Sequence, residues 1–103
     1  MTEQENALLE RIRTAAALAV YFSTPHCTVC GVLRPKVEAE IAKRAAVDFL
    51  YIDSEAYPAV AAQHMVFAAP TVLVLIEGKE YRRFSRNFSM EDFAFALDRA
   101  DLL

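Results

Sequence analysis

Three short apolar runs set the limits on what this chain can fold into. ALAVYF (17–22), VDFLYID (47–53) and TVLVLIE (71–77) are rich in branched and aromatic residues and have the length of buried strands. The segments around them carry helical spacing instead. Thr2 with Glu5 fits a capping box, and Leu8, Leu9 and Ile12 follow three or four apart, which predicts a helix over 3–14. Thr24-Pro25 breaks the first run. A second helix then carries Val29, Leu33, Val37 and Ile41 on one stripe, with Pro35 inside it, where the missing N–H should kink the axis. Glu55 to His64 reads as a short, alanine-rich helix, and Gly78-Lys79 as a tight turn into EYRRFS. Ser89, with Asp92 three residues on, caps a last helix whose apolar face is Met90, Phe93, Ala94 and Leu97.

The order α-β-α-β-α-β-β-α predicts an α/β fold. Two strands joined through a helix run parallel by a right-handed crossover, and the last two strands form an antiparallel hairpin. The result is a mixed four-stranded sheet with helices on both faces. With 103 residues the chain is long enough for one core, so residues 1–103 are read as a single domain. A net charge of -3 gives no reason to expect nucleic acid as a partner. The longest apolar run, Val66 to Ile76, is interrupted by Pro70 and too short to span a bilayer, so no membrane partner is expected. MTEQENALLERIR has no apolar core of the kind a secretory signal carries, and a cytoplasmic location is expected.

Both cysteines fall in STPHCTVCGVLRPKVEAE (23–40), where the first strand ends and the second helix begins. In a cytoplasmic protein a C-x-x-C is more often catalytic or metal-binding than a structural disulfide. The first turn of a helix exposes unpaired N–H groups and partial positive charge, which stabilise a thiolate at Cys27. Cys30, one turn further in, lies on the same face and within reach of a disulfide after local adjustment. That arrangement suits a redox pair: Cys27 attacks a disulfide, and Cys30 resolves the mixed disulfide. Zinc needs about four ligands, and the chain offers only Cys27, Cys30, His26 and His64, so no metal site is expected. Inert buried thiols are the remaining alternative.

HCTVC after a strand, Pro35 five residues beyond the second cysteine, and AAPT before the third strand together resemble the thioredoxin family over nearly the whole chain. The additional N-terminal strand of full thioredoxins is missing. The resemblance implies a thioredoxin-like fold with sheet order 2-1-3-4, the third strand antiparallel to the first, and an extra N-terminal helix. It also implies that Pro70 is cis and faces the cysteine pair, and that Ala69 pairs with the backbone of a bound substrate peptide. By the same alignment Val66 points into the core and Phe67 outward, as an apolar rim for a protein substrate or a dimer contact.

The departures from that family matter as much. His26 replaces the tryptophan before the first cysteine and is a candidate to tune Cys27 or shuttle protons. Thr28-Val29 replaces Gly-Pro. Tyr21 and Phe49 stand where the family keeps a buried acid and its lysine neighbour, and a phenol is a poor base near neutral pH. His64 reads as a surface residue or a charge at a helix end. Lys79, Arg82, Arg83 and Arg86 form a basic cluster, read first as protection of an edge strand, with an acidic partner as the lesser alternative.

The sequence thus predicts a thiol–disulfide oxidoreductase acting on protein or small-molecule disulfides. Its electron donor is expected to be a thioredoxin reductase or a small thiol. No cofactor is expected, and the chain is expected to be a monomer or weak dimer. The alternative is a non-catalytic binding module on the same fold.

Overall fold

The computed structural model describes residues 1–102. The elements run α1 (Glu3–Thr14), β1 (Ala17–Ser23), α2 (Thr28–Ala42), β2 (Asp48–Asp53), α3 (Pro58–Gln63), β3 (Thr71–Ile76), β4 (Lys79–Ser85) and α4 (Met90–Asp101). The strands form one sheet in the order β2-β1-β3-β4. β1 pairs parallel with β2, with Leu18 opposite Asp48, and antiparallel with β3, with Ala17 opposite Ile76. β3 and β4 form an antiparallel hairpin. Order and strand directions are those the sequence and the resemblance imply.

The central strands are apolar without alternation because both of their faces are covered. Ala17, Ala19 and Tyr21 of β1 join Val72 and Val74 of β3 against Val37 and Ile41 of α2 and Phe93 and Leu97 of α4. Leu18, Val20 and Phe22 join Leu73 and Leu75 against Ile12 of α1 and Val60 of α3. Each large side chain taken out of water, such as Phe22 or Phe93, stabilises the fold by about 1.5–3 kcal/mol.

Local chemistry explains where elements begin, and four expectations are corrected. On α2 the buried positions are Cys30, Val37 and Ile41, with Leu33 half-buried, whereas Val29 is 54% exposed. The true stripe starts at residue 30, and Val29 is turned about a quarter of the way round the helix to solvent. Pro35 sits inside α2 without ending it. The third helix starts at Pro58 rather than Glu55, because the Asp53 carboxylate accepts the N–H groups of Glu55 and Ala56 in a local turn. The hairpin turn is Glu77-Gly78, both left-handed (φ 51° and 79°), with Ile76 opposite Lys79, the twist-matched two-residue geometry. A Cβ at Gly78 would collide with the Arg13 carbonyl oxygen. On α4, Ala96 and Ala100 join Phe93 and Leu97 in the core and Met90 packs half-buried against it, whereas Ala94, read as part of that face, is only half-buried.

Glu5 ties the first and third helices together. One carboxylate oxygen accepts the Thr2 N–H at 3.1 Å while the Thr2 hydroxyl accepts the Glu5 N–H at 3.0 Å, the full capping box. Its other oxygen accepts the Ala59 N–H at 2.8 Å, capping α3, which has no side-chain cap of its own.

Candidate active site

α1 and α4 begin with a hydroxyl cap and carry acids in their first turn, Glu3 and Glu5 in one and Glu91 and Asp92 in the other. α2 differs. Its N-cap is Cys27, no side chain caps its first N–H groups, and its first turn contains no acid. The positive end of α2 is therefore left uncompensated at the cysteine. A turn closed by the Cys27 N–H to the Thr24 carbonyl, 3.2 Å, delivers the chain from β1 to this point.

Cys27 and Cys30 are joined as a disulfide with their Cα atoms 5.4 Å apart. Cys27 is half-exposed and Cys30 is 6% exposed, so one sulfur faces solvent and the other the core. His26 is an exposed loop residue whose Nε2 stands 3.7 Å from the Glu55 carboxylate. Among the described residues, no group of three or more His, Cys, Asp or Glu side chains is placed to hold a metal ion. Among the described residues, no helix is long and apolar enough to cross a membrane.

Below the disulfide the core is aromatic. Tyr21 is fully buried and donates its hydroxyl to the Cys30 carbonyl at 3.2 Å. Its ring stacks on Tyr51 with centroids 5.9 Å apart, and the Arg34 guanidinium lies over Tyr51 at 3.9 Å. Burial, reinforced by Tyr51 and opposed by Arg34, pushes the Tyr21 phenol up to about 12. The cation of this cluster comes from α2, one turn beyond Cys30, and Phe49 contributes only a ring, 6.0 Å from Arg34. No local sequence signal points to this contact, since Arg34 lies on a different element from Tyr51.

The loop from His64 to Pro70 leads from α3 into β3. The Ala69–Pro70 peptide is cis and Pro70 is buried. Val66 is buried, while Phe67 is 83% exposed. The Thr71 hydroxyl donates to the Ala68 carbonyl at 2.7 Å, and the Arg86 N–H donates to the Pro70 carbonyl at 2.9 Å. The backbone N–H and C=O of Ala69 have no hydrogen-bond partner among the described residues.

Arg83 has a further role beyond both readings of the basic cluster. Its guanidinium crosses from β4 and donates to the His64 carbonyl at 2.6 Å and the Met65 carbonyl at 2.8 Å, while pairing with Glu80. It satisfies carbonyls left free at the end of α3 and pins the left-handed Met65 (φ 55°) at the start of the loop. Arg82 instead lies over the Phe84 ring at 4.8 Å. His64 also departs from the surface role expected for it. It is half-buried, 6.3 Å from the Phe22 ring, its Nε2 has no partner among the described residues, and burial holds it below its ordinary pKa.

Two grooves open at this end of the sheet. One, of about 270 Å³, is lined by Thr24, Pro58, Val66, Phe67 and Ala69 on the α3 side. The other, of about 240 Å³, lies on the α2 side between Val29, Val32 and Leu33 and the segment Arg86–Phe88.

The chain thus combines a disulfide at an uncapped helix start with a cis-proline loop whose Ala69 backbone is unpaired among the described residues, and it is similar to known proteins. The sequence model of the thioredoxin family matches residues 2–99. The chain is 29% identical over 80 residues to the thioredoxin-like protein YdfQ of Bacillus subtilis, covering 78% of this chain and 71% of that protein. Its structure resembles thioredoxin 1 of Thermosipho africanus with a TM-score of 0.73 at 33% identity, over 80% of this chain and 91% of that one. It resembles the thioredoxin NaTrxh of Nicotiana alata with a TM-score of 0.80 at 25% identity, over 97% and 87%. The chain belongs to the thioredoxin family, and its paired cysteines are consistent with thiol–disulfide oxidoreductase chemistry.

Proposed function

We propose that this protein reduces disulfides in protein substrates in the cytoplasm, with Cys27 as nucleophile and Cys30 as resolving thiol. The observation that carries the reading is the position of Cys27 as the half-exposed, uncapped N-cap of α2. In the reduced protein the first-turn N–H groups stabilise a thiolate there by about 0.3–1 kcal/mol, with no acid in that turn to oppose it.

The Cys27 thiolate attacks one sulfur of a substrate disulfide. The substrate S–S bond breaks, one substrate thiolate leaves, and a mixed disulfide forms. Cys30 then loses its proton and attacks the Cys27 sulfur, which releases the second substrate thiolate and leaves the Cys27–Cys30 disulfide. Two electrons pass to the substrate, and an external dithiol, a thioredoxin reductase or a small thiol, returns them. Ala69 offers its free N–H and C=O to the substrate backbone in strand-like pairing, and Pro70 holds that loop against the cysteines. Phe67 supplies an apolar rim, and His26, exposed beside Glu55, tunes Cys27 or carries protons.

An insulin disulfide-reduction assay, with and without a thioredoxin reductase, tests this reading. Cys27→Ser should abolish exchange, and Cys30→Ser should trap mixed disulfides visible by mass spectrometry. No turnover with any reductant would make the protein a binding module on this fold. Faster alkylation of Cys30 than of Cys27 near neutral pH would reverse the assignment of the two thiols.

A further inference from the structure

We infer that the groove on the α2 side of the disulfide selects substrates carrying an acidic residue beside an apolar one, next to the disulfide to be reduced. The inference rests on the reading of the chain as a protein-disulfide reductase and names the substrate class of that site.

The groove begins at the cysteine pair itself, since Val29 lies between Cys27 and Cys30. Its floor is apolar: Val29 and Val32 are 54% and 66% exposed, and Leu33 and Phe88 complete it. Its charged lining residues are both cations, Lys36 from α2 and Arg86 from the segment after β4. Among the described residues, neither has a carboxylate within ion-pair distance. Most other cations near α2 are matched within the chain: Arg34 with Glu38, Lys43 with Glu40, and Arg44 with Glu40 and Asp98.

Arg86 is also held in place. Its backbone is left-handed (φ 58°), a conformation that a residue other than glycine, asparagine or aspartate seldom adopts. Its N–H is bonded to the carbonyl of Pro70. The bond fixes the base of this side chain beside the cis-proline loop. In a chain of net charge -3, two unpaired cations at the rim of an apolar cleft beside the reactive pair complement an acidic, apolar segment. A basic segment is repelled at the same place.

The test uses three synthetic peptides with one internal disulfide, identical except that the residue flanking it is Glu-Leu, Gln-Leu or Lys-Leu. Reduction by the full chain, regenerated by a dithiol, is followed as kcat/KM at low and high salt. The expected order is Glu over Gln over Lys, with each step roughly fivefold at low salt and shrinking as salt is raised. Lys36→Gln and Arg86→Asn, the latter suited to a left-handed backbone, should each lower the Glu-to-Gln ratio by about twofold or more. Equal rates for the three peptides, or a preference for Lys, overturns the inference while leaving the reductase reading intact. A Glu preference that survives both substitutions places the selectivity elsewhere and also overturns it. Failure to reduce any of the peptides overturns the reductase reading instead.

Discussion

Replacing Arg83 with methionine keeps the side-chain stem but removes the guanidinium that joins β4 to the end of α3. Two charge-assisted hydrogen bonds are lost, to the carbonyls of His64 and Met65 at 2.6 and 2.8 Å. Such bonds contribute about 1.5–3 kcal/mol each when water cannot replace them. The Arg83 side chain is 32% exposed, so water takes over part of the loss and about 1 kcal/mol for each bond is the reasonable figure. The pair with Glu80 adds at most about 1 kcal/mol. A loss of about 2 kcal/mol in a domain of this size lowers Tm by roughly 10 °C. The damage should be local as well as global, because the freed carbonyls stand at the start of the loop that carries Phe67, Ala69 and Pro70. Hydrogen exchange should therefore accelerate at residues 64–69 before it does in β1 or β3, and KM for a protein disulfide should rise. Arg83→Lys retains the charge but not the fork that reaches two carbonyls, so it should fall between. A Tm within about 2 °C of the wild type, with loop exchange unchanged, would refute the clasp.

Two further outcomes are expected. The N–H groups of Thr2 and Ala59 hold the Glu5 carboxyl below its ordinary value of 4.5, so its contribution is complete above that pH and is lost as pH falls through the folded value. Urea midpoints of wild type and Glu5→Gln should therefore differ at pH 7 and converge below about pH 4.5; parallel curves would deny Glu5 this role. Gly78→Ala places a Cβ against the Arg13 carbonyl at a left-handed position and should cost about 2 kcal/mol or more by denaturant unfolding; a cost under about 0.5 kcal/mol would contradict the packing described.

The apolar runs located three of the four strands, β1 and β3 most plainly because both of their faces are covered and such strands leave a continuous signature, whereas the exposed β4 was marked only by the turn before it. The cysteine motif was legible for the same kind of reason, since its meaning lies in a few consecutive residues at a strand–helix junction. What escaped the sequence was rotation and reach. Val29 and Cys30 are adjacent and both fit an apolar stripe, so only the packing of α2 on the sheet decides which is buried. Glu5 meets Ala59 across 54 positions and Arg83 meets Met65 across 18, and no local pattern encodes such contacts. Arg83 looked like a surface charge among others because its partners are backbone carbonyls, which every residue carries. Arg86 gave no sign of its left-handed backbone, a conformation that sequence signals only when glycine or asparagine fills it.

The same rotation and reach determine how protons must move during turnover. Cys30 has to lose a proton before it can resolve a mixed disulfide, and the residues standing where the family keeps its buried acid and lysine, Tyr21 and Phe49, are poor bases. The Tyr21 phenol, pushed up to about 12, stays protonated at any working pH and already donates to the Cys30 carbonyl. Phe49 carries no charge, and the Arg34 guanidinium over Tyr51 is no proton acceptor. Burial of Cys30 at 6% exposure disfavours its thiolate, so resolution should be the slow step near pH 7. Its rate should climb roughly tenfold per pH unit while that thiol remains mostly protonated. Attack by Cys27, stabilised by the start of α2, should level off at lower pH. Rapid mixing with a chromogenic disulfide can resolve the two steps. Tyr21→Phe should leave the slope of the resolution profile as it is, since the phenol takes no proton. Tyr21→Asp should flatten it by supplying a base, at a cost in stability for an unpaired buried carboxylate. A resolution rate flat from about pH 6 to 9 in the wild type would mean that another group, such as His26, already takes the proton from Cys30.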